Sequence, residues 1–254
     1  MKNIINWKLY FILLAACVVT AMLVIPYSLA LTAVEVEITF TTLLLIAAQN
    51  LILFAIVIFL GLLLSKPVGM GSPILQGILE GKNQSDEFKA LLKPSVGLGI
   101  LAGILIILLS LPFNKLIPEF NQMELSIPAW KAFLASFYGG IAEEVLLRLF
   151  VVSLLVWITY KIKKANDGGP TTAGIWVSIV LASVIFGLGH LPATAQIVPL
   201  SGIVIVRAIV LNGICGVIFG WLYWKKGLES AMLAHFSADI VLHVVSPFVV
   251  SLFA

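Results

Sequence analysis

Charge is scarce in this chain: only 11% of its 254 residues are Asp, Glu, Lys or Arg. Soluble proteins carry roughly 25%, and with 61% hydrophobic residues a water-facing globule could not hide its apolar surface. Cysteine is equally sparse. Cys17 and Cys215 stand in apolar runs with no CxxC spacing, which implies no disulfide framework and leaves two small buried hydrophobes. Internal repeats and low-complexity tracts are missing too. The net charge of +3 comes from basic residues spread through loops, so it does not point to nucleic acid. What remains is a polytopic all-α membrane protein.

Long apolar runs cover 9–32, 38–65, 94–113, 130–160, 172–190, 201–224 and 228–243, with a short piece at 246–254. The first is too long for a signal-peptide core of about 7–15 residues, so it reads as a retained span despite "SLA" at 28–30. Residues 66–93 form the one long polar connection, and Ile74, Leu75, Ile78 and Leu79 predict an amphipathic interfacial stretch there. The chain thus divides into an N-terminal hairpin plus interfacial segment, 1–93, and a core, 94–254.

With the N-terminus in the cytoplasm, that side collects eleven lysines, among them Lys8, Lys66, Lys161, Lys225 and Lys226. The other side keeps Lys115 and Lys131, a bias that sets the orientation. Trp7, Trp130, Tyr160, Trp221, Tyr223 and Trp224 fall near span ends, where interfacial aromatics sit.

Most acids lie in loops or at span ends: Glu35, Glu37, Glu80, Asp86, Glu87, Glu119, Glu124, Asp167 and Glu229. Glu143, Glu144 and Asp239 do not, and His190, His235 and His243 all lie in or at the end of apolar spans. A charge at mid-bilayer costs about 2.5–3.5 kcal/mol even on the lenient insertion scale. These groups must therefore face one another or a wet cavity.

Three constellations emerge. In "EEVLLR", Glu144 and Arg148 are spaced i, i+4 and can pair along the helix, while Glu143 is rotated about 100° away and remains free for chemistry. In "FGLGH", Phe186 and His190 share a face at the end of a span that Pro192 terminates. In "HFSAD", His235 and Asp239 share a face, an arrangement that can hold a metal, orient an imidazole or relay protons. His243 continues that face. Arg207, inside the span 201–224, is expected to pair with Asp239 or Glu143, or to snorkel outward.

The ordered set E-E-x-x-x-R, F-x-x-x-H and H-x-x-x-N/D resembles the CAAX prenyl protease type II family, also called CPBP or Abi, of intramembrane proteases. The Gly-rich segment Asn212 to His235 resembles it as well, and the likeness covers roughly 130–243. It implies about 7–8 transmembrane helices enclosing an intramembrane polar cavity, and peptide-bond hydrolysis within it. By the same resemblance Glu143 and His190 activate the attacking water, and His235 and Asp239 complete the site and stabilise the oxyanion. Glu144, Arg148 and Phe186 support them.

The better-known members carry Asn where this chain has Asp239. An ionised Asp only accepts hydrogen bonds, so Asp239 is either protonated by burial, orients His235 or ligates a cation. Glu143, His190, His235 and Asp239 form a reasonable N/O ligand set for Zn²⁺ or another divalent metal.

The implied activity is an intramembrane endopeptidase, possessing a glutamate/histidine-activated water and acting on a membrane-embedded or lipidated peptide, as in CAAX-type or bacteriocin and peptide processing. The implied setting is a prokaryotic plasma membrane. A non-catalytic scaffold or immunity protein of the same fold is the alternative. A proton-coupled transporter is the third reading, against which no inverted repeat is found. With the N-terminus inside, His190 falls near the outer end of its span and Glu143 about 20 Å into its helix. The site is then expected between mid-membrane and the outer face.

Overall fold

The computed structural model describes residues 5–32, 38–120 and 126–251. Lys2, the acids Glu35, Glu37 and Glu124, and the last residues of the 246–254 piece lie outside them. Every described element is helical apart from one isolated bridge between Lys164 and Pro170. This is what a bilayer demands, because a helix satisfies its own backbone polar groups where no water can.

Helix α1 spans Trp7–Leu23, and α2, Ile25–Thr32, extends it. Asn6 caps the start, its Oδ1 accepting from the Leu9 amide at 3.3 Å. Next come α3, Phe40–Ser65, a short α4, Pro73–Leu79, and α5, Ser85–Leu116. Helix α6 runs over 129–162, α7 is Thr172–Gly189, α8 is Gly202–Lys226, and α9 covers 228–251. Among the described residues six helices are long and apolar enough to cross a membrane: Trp7–Leu31, Phe40–Val68, Ser85–Leu116, Thr172–Thr194, Gly202–Lys226 and Leu228–Val250. Helix α6 is interrupted by π-helical turns and lies among them.

Several limits differ from the sequence reading. Helix α5 begins nine residues before the expected 94, because Ser85 to Lys93 continue the helix as a polar extension and Pro94 sits inside it. The expected break between 243 and 246 does not exist: a π turn, Ile240–Val245, carries α9 on into Ser246–Ser251. Pro192 does not end the helical path either; it opens a further turn, Leu191–Thr194, where its missing N–H is not needed. In α4, Ile74 is buried but Ile78 is 54% exposed, since α4 docks through Ile74 and Gly77. Helix α4 is held by Glu229, whose Oε1 accepts from Ser72 Oγ at 2.5 Å and from the Leu75 amide at 2.8 Å.

Helices α7 and α8 pack against each other along their length. They can do so because a Cβ on Gly187, Gly216 or Gly220 would meet Ile209 and Ala208, Ser183, or Ile179. Small residues allow such backbone approach in membranes. Helix α9 packs on α5, where Gly99 faces the backbone of Ala234 and Ser95 Oγ lies 2.7 Å from Ser230 Oγ. Helix α8 turns back into α9 over a single residue, Gly227, whose φ of 93° suits glycine. Outward faces carry apolar side chains such as Leu45, Leu101 and Val180, as a lipid-facing surface should.

Candidate active site

The site starts from a close crossing of α6 and α9. A Cβ on Gly139 would overlap the Asp239 carboxylate and stand 3.1 Å from His235 Nε2, and one on Gly140 would press on Phe236. The glycine pair lets α6 approach α9 closely enough for its next residues to reach the imidazole. Those residues sit in two π-helical stretches, Tyr138–Glu143 and Val145–Val152, with Glu144 between them. π-Turns are rare and often mark functional positions.

Glu144 is fully buried, and Arg148 and His235 are 2% and 6% exposed. Buried charges persist only when paired, and here one carboxylate serves two partners. Glu144 Oε2 lies 3.2 Å from Arg148 Nε, the pair read from the sequence. Glu144 Oε1 lies 2.7 Å from His235 Nδ1, a link across 91 positions that no local spacing signals. Because the carboxylate accepts, Nδ1 of His235 donates, which fixes the ring and turns Nε2 toward the α6 and α9 carboxylates. From Nε2 it is 3.7 Å to Glu143 Oε2 and 3.6 Å to Asp239 Oδ1. Both are longer than a direct hydrogen bond.

Aromatic rings complete the frame. Phe219 of α8 stacks on the His235 ring at 4.8 Å, and Phe186 meets its edge at 5.8 Å. The Arg148 guanidinium lies over these same two rings, 5.2 Å from Phe186 and 5.6 Å from Phe219, and donates to the Gly216 carbonyl at 3.4 Å. Arg148 thereby joins α6, α7 and α8. Phe219 carries no motif signature; its role comes from packing between helices.

His190 stands against Phe186, ring edge to ring face at 4.7 Å, with Nδ1 2.9 Å from the Phe186 carbonyl. A carbonyl cannot donate, so Nδ1 is the donor and Nε2 is left for other partners. His190, Glu143, His235 and Asp239 all line one cavity of about 510 Å³. His243 lines it as well, with its ring 6.2 Å from Tyr27. Arg207 is on the same wall, its guanidinium over the Phe120 ring at 3.8 Å. Asp239 and Glu143, its expected partners, face His235 instead.

The sequence brings together Glu143, Glu144, Arg148, His235 and Asp239 as one network, with Phe186 and His190 beside it. Among the described residues no three His, Cys, Asp or Glu side chains stand as a group that could hold one metal ion.

A comparison with known families finds a match over part of the chain. Residues 125–241 match the family described as type II CAAX prenyl endopeptidase, Rce1-like. This segment carries an Rce1-like domain. It holds all three constellations and the whole of the Glu144–His235–Arg148 network, and at family level the match supports a membrane peptidase. No curated protein and no solved structure matches the chain significantly.

Proposed function

We propose that this protein is an intramembrane endopeptidase that hydrolyses a peptide bond of a membrane-associated or lipidated peptide. The observation that carries the reading is His235, held by Glu144 at 2.7 Å and turning Nε2 toward Glu143 and Asp239 in a polar cavity. An oriented imidazole facing carboxylates is a proton-handling arrangement.

In the proposed mechanism a water lies beside Glu143, within reach of the His190 Nε2 acceptor. Glu143 takes a proton from this water as it attacks the peptide carbonyl, and His190 helps to orient it. The resulting tetrahedral oxyanion collapses with cleavage of the C–N bond, and Glu143 returns the proton to the leaving amine. His235 and Asp239 border the reacting carbon, while Glu144 and Arg148 act as positioning residues. Protein walls such as Phe186 and Phe219 keep bulk water away and strengthen each of these interactions.

The setting proposed is a prokaryotic plasma membrane with the N-terminus in the cytoplasm. In support, the cavity is bordered by Asn114, Phe120, His190 and Arg207, at one set of helix ends. Lys66, Lys161, Lys225 and Lys226 lie at the opposite ends. On this reading the substrate enters from the face opposite the cytoplasm.

The test is cleavage of membrane-associated peptides, a prenylated C-terminal peptide among them, by the full chain in detergent. Wild type and Glu143→Gln are compared, each with and without chelator. Cleavage by wild type and a loss of about 10²-fold or more in Glu143→Gln supports the assignment. Equal cleavage by both overturns it. Loss on chelation, restored by Zn²⁺, would assign the water's activation to a metal.

A further inference from the structure

Peptide hydrolysis develops negative charge on the carbonyl oxygen, and enzymes place a hydrogen-bond donor there. Arg207 and Tyr27 also line the cavity, but by Phe120 and His243; the helices that carry Glu143, His190 and His235 offer few. Ionised Glu143 and Asp239 only accept. The Nδ1–H of His235 is committed to Glu144 and that of His190 to the Phe186 carbonyl. Ser136 Oγ donates to the Ala132 carbonyl, and Asn212 Nδ2 to the Ala208 carbonyl. Tyr138 is different: it lines the same cavity, and among the described residues its hydroxyl has no hydrogen-bond partner.

The backbone explains why Tyr138 is there. It stands five residues before Glu143, and in an α-helix that separation turns two side chains about 140° apart. The segment between them is instead a π-helix, Tyr138–Glu143, whose turn takes ~4.4 residues, so five residues rotate only about 50° past a full turn. The π-turn thus moves the phenol onto the face of α6 that carries Glu143. Gly139, the next residue, is where α6 comes nearest to His235 Nε2 and Asp239.

We propose that Tyr138 is a catalytic residue whose phenol O–H donates a hydrogen bond to the carbonyl oxygen of the scissile peptide and to the oxyanion formed from it. The proton stays on the phenol throughout, so no group beyond those in the hydrolysis is required. The inference rests on the peptidase reading above.

The experiment compares wild type, Tyr138→Phe and Glu143→Gln as full chains in detergent, on a membrane peptide that wild type cleaves. Tyr138→Phe is expected to lower kcat about 10²- to 10³-fold, the loss usual for one oxyanion donor, with KM within about twofold and thermal unfolding unchanged. A kcat within about threefold of wild type while Glu143→Gln is inactive overturns the role of Tyr138 alone. Full activity in both variants overturns the peptidase mechanism itself. Should Tyr138→Phe unfold, a fluorinated tyrosine at 138 keeps the shape and makes the phenol more acidic. Its activity is then expected to fall at an alkaline pH where the unmodified protein still works, and an unshifted alkaline limb overturns the proposal.

Discussion

Glu144 Oε1 stands 2.7 Å from His235 Nδ1, so the imidazole of α9 is oriented by the very carboxylate that binds Arg148 on α6. One buried side chain couples the architecture of the site to its chemistry. Replacing it with glutamine keeps the volume and removes the charge. Glu144→Gln should leave Arg148 as an uncompensated buried cation, at a cost of about 3–5 kcal/mol. A lowered unfolding temperature together with lost peptide cleavage is the expected result, and normal stability would show that Arg148 finds its counter-charge elsewhere.

The crossing of α6 and α9 makes a second, steric prediction. Gly139→Ala places a methyl group against the Asp239 carboxylate and His235 Nε2. Either α6 is pushed outward or Asp239 is displaced. Cleavage should fall by an order of magnitude or more, since about 1 Å of misplacement costs about 10²-fold. Comparable kcat in wild type and Gly139→Ala would mean that the crossing can open without harm.

Helix α5 allows a paired comparison. A Cβ on Gly99 would run into the Ala234 backbone, whereas around Gly97 there is open space. Gly99→Leu is therefore expected to destabilise the protein by about 1–3 kcal/mol, as overpacking does. Gly97→Leu should be close to neutral. Thermal unfolding of the two variants in the same detergent decides it, and equal effects would count against the α5–α9 contact.

Glu229 is the anchor of α4. Glu229→Ala leaves Ser72 Oγ and the Leu75 amide without their shared acceptor. The segment around 70–84 should then be cut faster by protease, with the hydrolytic site unaffected in kcat. Unchanged proteolysis would show that burial of Ile74 and Gly77 alone holds α4.

Much of this was legible in the sequence because it is local. Glu144 and Arg148, Phe186 and His190, and His235 and Asp239 are each one helical turn apart, and one turn is set by backbone geometry alone. The apolar runs were legible for the same reason: a span announces itself by length and hydropathy. The Glu144–His235 bond was not, since it joins side chains 91 positions apart and depends on Gly139 and Gly140 permitting the crossing. The π-turns were not legible either, because α6 is apolar on most faces and an added residue per turn leaves no mark on such a run. The start of α5 was hidden for another reason: the apolar run begins at 94, yet Ser85 to Lys93 build a polar extension ahead of it.

Arg148 reaches Gly216 across 68 positions, and Glu144 reaches His235 across 91. While the chain is being made, at about 5–20 residues per second, α6 must wait on the order of 5 to 20 seconds for its last partner. During that interval the helix holds a guanidinium with no α8 or α9 beside it. The four-residue spacing means that the opposite charge emerges on the same turn, so Arg148 enters the bilayer already paired. A spacing that serves the finished site is therefore also what makes the unfinished one insertable.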